Sequence, residues 1–149
     1  MTIEVQIGPI SNSAENFRAL VLYLAEDPLL KNSALHTLTL VEPSLSSGHL
    51  IVAARGGKLL GAVGWRLMSA ASAELCVSQA RTPRRDELAP EGGGAILTFA
   101  ASREKGMLFR LVRHAFRMNA GRIVIFERHL QRGSTTSRFG WVDPQGKMH

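Results

Sequence analysis

The apolar positions of this chain change period part-way along it. Between Ser13 and Glu26 they fall at Phe17, Leu20, Val21 and Leu24, the spacing of one helical face. Asn12 stands where an N-cap belongs, with Glu15 three residues later at capping-box distance, and Asp27-Pro28 stops the helix. Asn32 to Val41 reads as a second, shorter helix that ends before Pro43. Ahead of both, Ile3 to Ile7 alternates and suits either an edge strand or a docking arm.

From His49 the pattern is that of strands. His49 to Ala54 is one strand, Gly56-Gly57 is a two-residue hairpin signal, and Lys58 to Met68 is the return strand. Within it, Gly61 and Gly64 mark a bulge or a close backbone approach. Ala73 to Ser78 reads as a third strand, and Arg81 to Gly94 as a loop rich in Pro, Gly and charge. Ala95 to Ala101 is a further strand, followed by the polar turn Ser102-Arg103-Glu104-Lys105-Gly106 and an amphipathic helix from Met107 to Met118. On that helix Leu108, Leu111, Val112, Ala115 and Phe116 face inward, while Arg110, Arg113, His114 and Arg117 face out. Ile123 to Phe126 is a continuous apolar strand of the kind buried in parallel pairing, and Phe139 to Val142 is a last strand. The order predicts an α+β (mixed α/β) domain: N-terminal helices, a central mostly antiparallel sheet and one βαβ crossover.

The junction from Ala95 to Met118 carries the most chemistry. A strand that turns through Gly106 into a helix leaves the first helical N–H groups unpaired, at the positive end of the helix dipole, where a phosphate or another anion fits. Arg103 either holds such a phosphate bidentately or is a solvated turn arginine.

Composition narrows the setting. At 149 residues the chain is read as a single domain, 1–149, with no apolar run near the ~20 residues of a membrane span. MTIEVQIGPI has no basic start and does not read as a signal peptide, and the lone Cys76 cannot form an internal disulfide, so a cytoplasmic location is expected. The net charge of +6 is uneven: residues 1–100 hold eight Lys/Arg against nine Asp/Glu, and residues 101–149 hold ten against three. Such a basic segment suits an acidic partner, whether nucleic acid, an acidic protein or a phosphorylated cofactor, or is a solvated face.

The order of elements resembles the GNAT acyltransferase superfamily, in which the fourth strand splays from the fifth and acyl-CoA lies in the gap. Its signature, Gln/Arg-x-x-Gly-x-Gly/Ala, is met here by Arg103 and Gly106, with Leu108 at the last small position. A second resemblance runs through Tyr23-Leu-Ala-Glu-Asp-Pro-Leu-Leu-Lys-Asn32, Val41-Glu-Pro43 and Gly61-Ala-Val-Gly-Trp-Arg-Leu-Met-Ser69. These stretches are similar to the RTX-toxin-activating lysine acyltransferases, which read Ser-Pro-Leu-His-Arg after the first helix and Gly-x-x-Ser-Trp-Ala-x-Leu-Ser in the hairpin. That resemblance continues through Ile96 to Phe116, and it implies acyl transfer from acyl carrier protein, a strongly acidic donor, to a protein lysine. The chain departs from the family at its catalytic positions. The family's His falls on Leu30, its Asp on Thr98, its Trp on Ala95, and its Pro-Phe-Gly turn on Ser102-Arg103-Glu104. A Leu accepts no proton and a neutral Thr does not stabilise an imidazolium, so the dyad is absent.

His36 is the nearby replacement base, six residues after Leu30; its plain alternative, shared by His49, is a surface or capping histidine. His114 belongs to the basic stripe and His129 to an exposed segment end. Trp65 is a core residue or a ligand platform. No His/Cys/Asp/Glu group has metal-ligand spacing. Three functions remain. The first is acyl transfer, with acyl-CoA or acyl carrier protein laid along Arg103, Gly106 and Met107, an acidic partner on Arg110, Arg113 and Arg117, and backbone N–H groups polarising the thioester carbonyl. The second is a pseudoenzyme: a structural, assembly or binding subunit on the same fold, such as a phage virion or accessory protein. Nucleic-acid binding through Arg110, Arg113, Arg117, Arg122, Arg128 and Arg132 ranks last, since no stacking aromatics interleave with them.

Overall fold

A computed structural model describes residues 4–26, 34–129 and 137–149; for 34–40, 128–129 and 137 it describes the backbone only. Leu30 and Arg132 lie outside the described residues. The elements are β1 (Gln6–Gly8), α1 (Ala14–Ala25), α2 (Ala34–Ser47), β2 (Leu50–Arg55), β3 (Lys58–Met68), α3 (Ala70–Ser78), β4 (Leu88–Ala89), β5 (Gly94–Ser102), α4 (Met107–Met118), β6 (Ile123–His129) and β7 (Ser137–Val142). The fold is mixed α/β. Among the described residues, seven strands form a mostly antiparallel sheet in the order β1-β2-β3-β5-β6-β7, with β4 beside β3. The chain forms two compact units, one of Met1–Gly64 and Phe99–Ala115, the other of Trp65–Thr98 and Phe116–His149.

In the first unit, α1 and α2 cover β2 and β3. Leu20 and Leu24 of α1 are fully buried with Val41, Leu45, Leu50 and Val52, and Phe17 and Val21 pack beside them, which is the face that the sequence pattern drew. Ser13, not Asn12, caps α1: its backbone is extended, and its Oγ accepts the N–H of Asn16 at 3.1 Å. The second helix does not stop before Pro43 but runs through it to Ser47. A proline inside a helix costs about 3 kcal/mol. Burial of Val41 and Leu45, one turn apart and each recovering about 1.5–3 kcal/mol, offsets that cost. The helix closes instead at Gly48, with φ +76°, where the His49 N–H donates to Ser44 O at 2.8 Å and the Gly48 N–H to Leu45 O at 3.3 Å, a Schellman motif. The Gly56-Gly57 turn has both φ values positive, as its type I′ geometry demands, and joins β2 to β3 antiparallel.

In the second unit, the stretch read as a third strand is the helix α3. Ser69 caps it, its Oγ accepting the Ser72 N–H at 3.1 Å, and the alanines at 70, 71 and 73 favour the helix. Ala73 and Cys76 are buried with Met68, Ile96, Ile123 and Ile125. The 81–94 loop contains a 3-10 turn, Arg85–Glu87, and the short β4. There the Arg81 guanidinium grips the Glu87 carboxylate at 2.7 and 3.1 Å. β5 pairs in parallel with β6 at Gly94, Ala95 and Ile96, against Ile123, Val124 and Ile125, which makes β5–α4–β6 the expected crossover. β7 pairs antiparallel with β6, and a bridge from Val142 to Met148 continues past it.

Candidate functional site

The junction between β5 and α4 is built entirely within the first unit, and it begins with a skipped residue in β3. Ala53 pairs with Gly61 and Ala54 with Leu59, so the β2 register passes over Leu60. Two hydroxyls take the Leu60 carbonyl: Tyr23 from α1 and Ser102 from the end of β5, each donating at 2.7 Å. The Tyr23 oxygen also accepts the Arg103 N–H at 3.3 Å, and the Ser102 oxygen accepts the Glu104 N–H at 3.2 Å. On the other flank, Arg55 at the hairpin end forks onto the Glu104 carboxylate at 3.0 and 3.5 Å. The turn is therefore fastened to α1, to β3 and to β2.

Gly106 supplies the left-handed φ of +80° that swings the chain into α4. Glu104 O accepts the Met107 N–H at 3.1 Å, and the Met107 side chain is buried. The next two donors, Leu108 N–H and Phe109 N–H, have no acceptor among the described residues. They lie at the positive end of a twelve-residue helix, beside the exposed Lys105. That arrangement suits an anionic oxygen.

Arg103 in the turn has a side chain that is 36% exposed and partnered within the first unit. Its guanidinium lies 4.0 Å from the centroid of the Tyr23 ring, donates to the Tyr23 carbonyl and sits 3.6 Å from Glu26 Oε2. It therefore caps the C-terminal turn of α1, where a cation meets unpaired carbonyls and the negative end of the dipole.

No protein-family model and no curated protein matches the chain. Solved structures do. The loading GNATL domain of CurA from Lyngbya majuscula superposes with a TM-score of 0.60 at 10% identity, over 86% of this chain and 66% of that one. A GNAT-family acetyltransferase from Brucella melitensis, in complex with acetyl-CoA, gives 0.59 at 14% identity over 97% and 94%. The GphF GNAT-like decarboxylase, in complex with isobutyryl-CoA, gives 0.57 at 17% over 82% and 65%.

The fold is GNAT-like. At these identities the likeness is one of fold alone.

On this GNAT-like frame the remaining sequence candidates divide. Leu108, expected to face inward, is 41% exposed. The inward stripe is Met107, Leu111 and Ala115, four residues apart, which leaves Leu108 on its flank. Arg110, Arg113 and Arg117 are exposed as expected, and Arg113 lies 5.4 Å from the ring of Phe109, an exposed aromatic that the sequence reading passed over. The backbone of His36 belongs to α2, and its side chain lies outside the described residues. Thr98 lies in β5, and its buried Oγ1 has no hydrogen-bond partner among the described residues. Trp65 is 2% exposed and so part of the core. The glycines of β3 are pressed against neighbours rather than lining a passage. A Cβ on Gly61 would stand 2.6 Å from Leu111 Cδ1 and 2.8 Å from Ala101 O, and one on Gly64 would strike the Phe99 ring.

Cys76 is buried, and burial pushes its thiol pKa up, which makes it a poor nucleophile. Among the described residues no group of His, Cys, Asp and Glu could hold a metal, and no helix is long and apolar enough to cross a membrane. A concavity of about 280 Å³ lies at the opposite end of α1 from Arg103, lined by Asn12, Ser13, Phe17, Glu42 and Ser46 among others.

Proposed function

We propose that this chain is an acyltransferase-like protein that receives an acyl donor at the start of α4 and passes the acyl group to an amine. The observation that carries this reading is the pair of unpaired N–H groups at Leu108 and Phe109, set behind Gly106 on a GNAT-like fold. Two oxygens of a phosphate or pyrophosphate would find there two donors and a favourable dipole. The donor is then acyl-CoA or an acyl carrier protein. The exposed Arg110, Arg113 and Arg117 on a helix without a single acid support the acidic carrier protein as partner. In the transfer, the acceptor nitrogen attacks the thioester carbon, the C–N bond forms, the C–S bond breaks, and the amine proton leaves as the thiol forms. The resemblance to the RTX-toxin-activating family makes a protein lysine the acceptor and leaves His36 as the base to test. We place the protein in the cytoplasm as a single domain.

Thr98 favours a second reading. It stands where the resembling family has its Asp, and its neutral hydroxyl bonds nothing among the described residues. A donor-binding or assembly subunit without transfer activity, of the phage virion or accessory kind, would tolerate that.

Thermal melts with acyl-CoA and acyl carrier protein at near-millimolar concentration test the donor site. A ligand at a hundred times its Kd adds about 2.7 kcal/mol of stability. Unchanged melting with both donors rejects the site. Donor binding without acylation of any amine acceptor selects the second reading.

A further inference from the structure

The geometry points to the outward face of α4 as a docking surface for the acidic flank of an acyl carrier protein, with the Phe109 ring as its anchor. This inference rests on the carrier-protein half of the reading above and not on the phosphate site. α4 reads MLFRLVRHAFRM and carries no acid. Its buried stripe is Met107, Leu111 and Ala115, which leaves Phe109, Arg110, Arg113 and Arg117 exposed. Phe109 is 69% exposed, the most exposed of the large apolar side chains among the described residues. An apolar notch on a partner would take that ring out of water. Phe109 and Arg113 stand one helical turn apart, and the guanidinium lies 5.4 Å from the ring centroid. The ring is thereby steadied before a partner arrives, and less side-chain entropy is lost on docking. No carboxylate pairs with Arg110, Arg113 or Arg117 among the described residues. Glu104, the acid nearest to them in sequence, is already taken by Arg55 at 3.0 Å. The three charges are therefore available to a partner's carboxylates.

A protein fits this face better than a nucleic acid does. An exposed aromatic among arginines, with no Lys, Asp or Glu on the helix, matches the composition of a protein–protein interface. Single-stranded nucleic acid stacks on successive rings, and α4 offers it one. Phe116, the other aromatic of the helix, is turned to Phe126, with ring centroids 5.7 Å apart.

Biolayer interferometry with apo acyl carrier protein, which lacks the pantetheine arm, reads the face separately from the donor site. The wild type should bind. Phe109→Ala should weaken binding about tenfold, chiefly through faster dissociation. Arg110→Gln and Arg117→Gln should each weaken it about threefold, chiefly through slower association, and lessen its salt dependence. Arg113→Gln should weaken it about tenfold, and adding Phe109→Ala should cost less than the product of the two, because ring and guanidinium act together. Leu22→Ala, which removes an exposed apolar side chain from α1, should leave binding unchanged. Melting curves check that each variant is folded. A wild type that does not bind apo carrier protein overturns the docking face, and so does a folded Phe109→Ala variant that binds as the wild type does. Single-stranded oligothymidine that binds more tightly than carrier protein, and loses affinity in Phe109→Ala, overturns it in favour of nucleic acid. Coenzyme A that binds when apo carrier protein does not leaves the phosphate site standing without the face. The reverse result rejects the phosphate site and keeps the face.

Discussion

Tyr23 and Ser102 share one acceptor: each hydroxyl donates to the carbonyl oxygen of Leu60 at 2.7 Å. One residue comes from the first helix and the other from the end of β5, and the carbonyl is accessible to both because the β2–β3 register skips Leu60. Removing either hydroxyl leaves the carbonyl one partner. Tyr23→Phe and Ser102→Ala should each cost about 1 kcal/mol, and the double variant more than their sum, because only then is the carbonyl stranded. Urea denaturation of the four proteins measures the coupling; strict additivity would show that the two bonds are independent.

Gly61 should not tolerate a methyl group. The added carbon would lie 2.8 Å from the Ala101 carbonyl, backbone that has no room to retreat. Gly61→Ala should cost about 1–3 kcal/mol or more. Gly8→Ala, with nothing within 4 Å of the new carbon, is the control and should shift the denaturation midpoint little. Equal midpoints for the two variants would contradict the close approach of β3 to β5.

Thr98→Val should stabilise the protein. The hydroxyl is buried without a partner among the described residues, and replacing it with a methyl of similar size removes a desolvation penalty of about 1–3 kcal/mol. A loss of stability on this substitution would mean that the hydroxyl has an acceptor in solution.

The Arg81–Glu87 pair sets an acid limit on the second unit. The Arg81 guanidinium, with help from the Arg84 N–H, holds the Glu87 carboxyl at about 2, below its ordinary 4.5. A carboxyl depressed in the folded state stabilises fully above its unfolded pKa, and that stability is lost as pH falls from there toward the folded value. Unfolding midpoints should therefore drop between about pH 4.5 and 2, and Glu87→Gln should flatten that part of the profile. A Glu87→Gln profile parallel to the wild type across that range would rule the pair out as its cause.

What could be read in the sequence follows physical lines. The periodic segments stood out because burial enforces period: Leu20 and Leu24 on α1, Ile123 to Phe126 on β6, and the Gly56-Gly57 hairpin whose φ values only glycine adopts cheaply. The stretch from Ala73 to Ser78 was misread because a short apolar run fits a strand or a buried helix equally well, and the deciding cap, Ser69, lies outside it. Pro43 misled because propensity argues locally, whereas Val41 and Leu45 are held by the core. At the candidate site, the position of Gly106 and the basic face of α4 were legible. The orientation of Arg103 was not, since its partners Tyr23 and Glu26 lie about eighty residues earlier in the chain.

The fastening of residues 102–106 has a thermodynamic consequence. Immobilising the backbone of one residue costs about 1–2 kcal/mol in conformational entropy. Here Tyr23, Leu60 and Arg55 impose that loss when the chain folds, before any ligand arrives. A molecule that docks on the Leu108 and Phe109 N–H groups meets a turn already in shape, and its affinity is not diminished by the entropy of forming one.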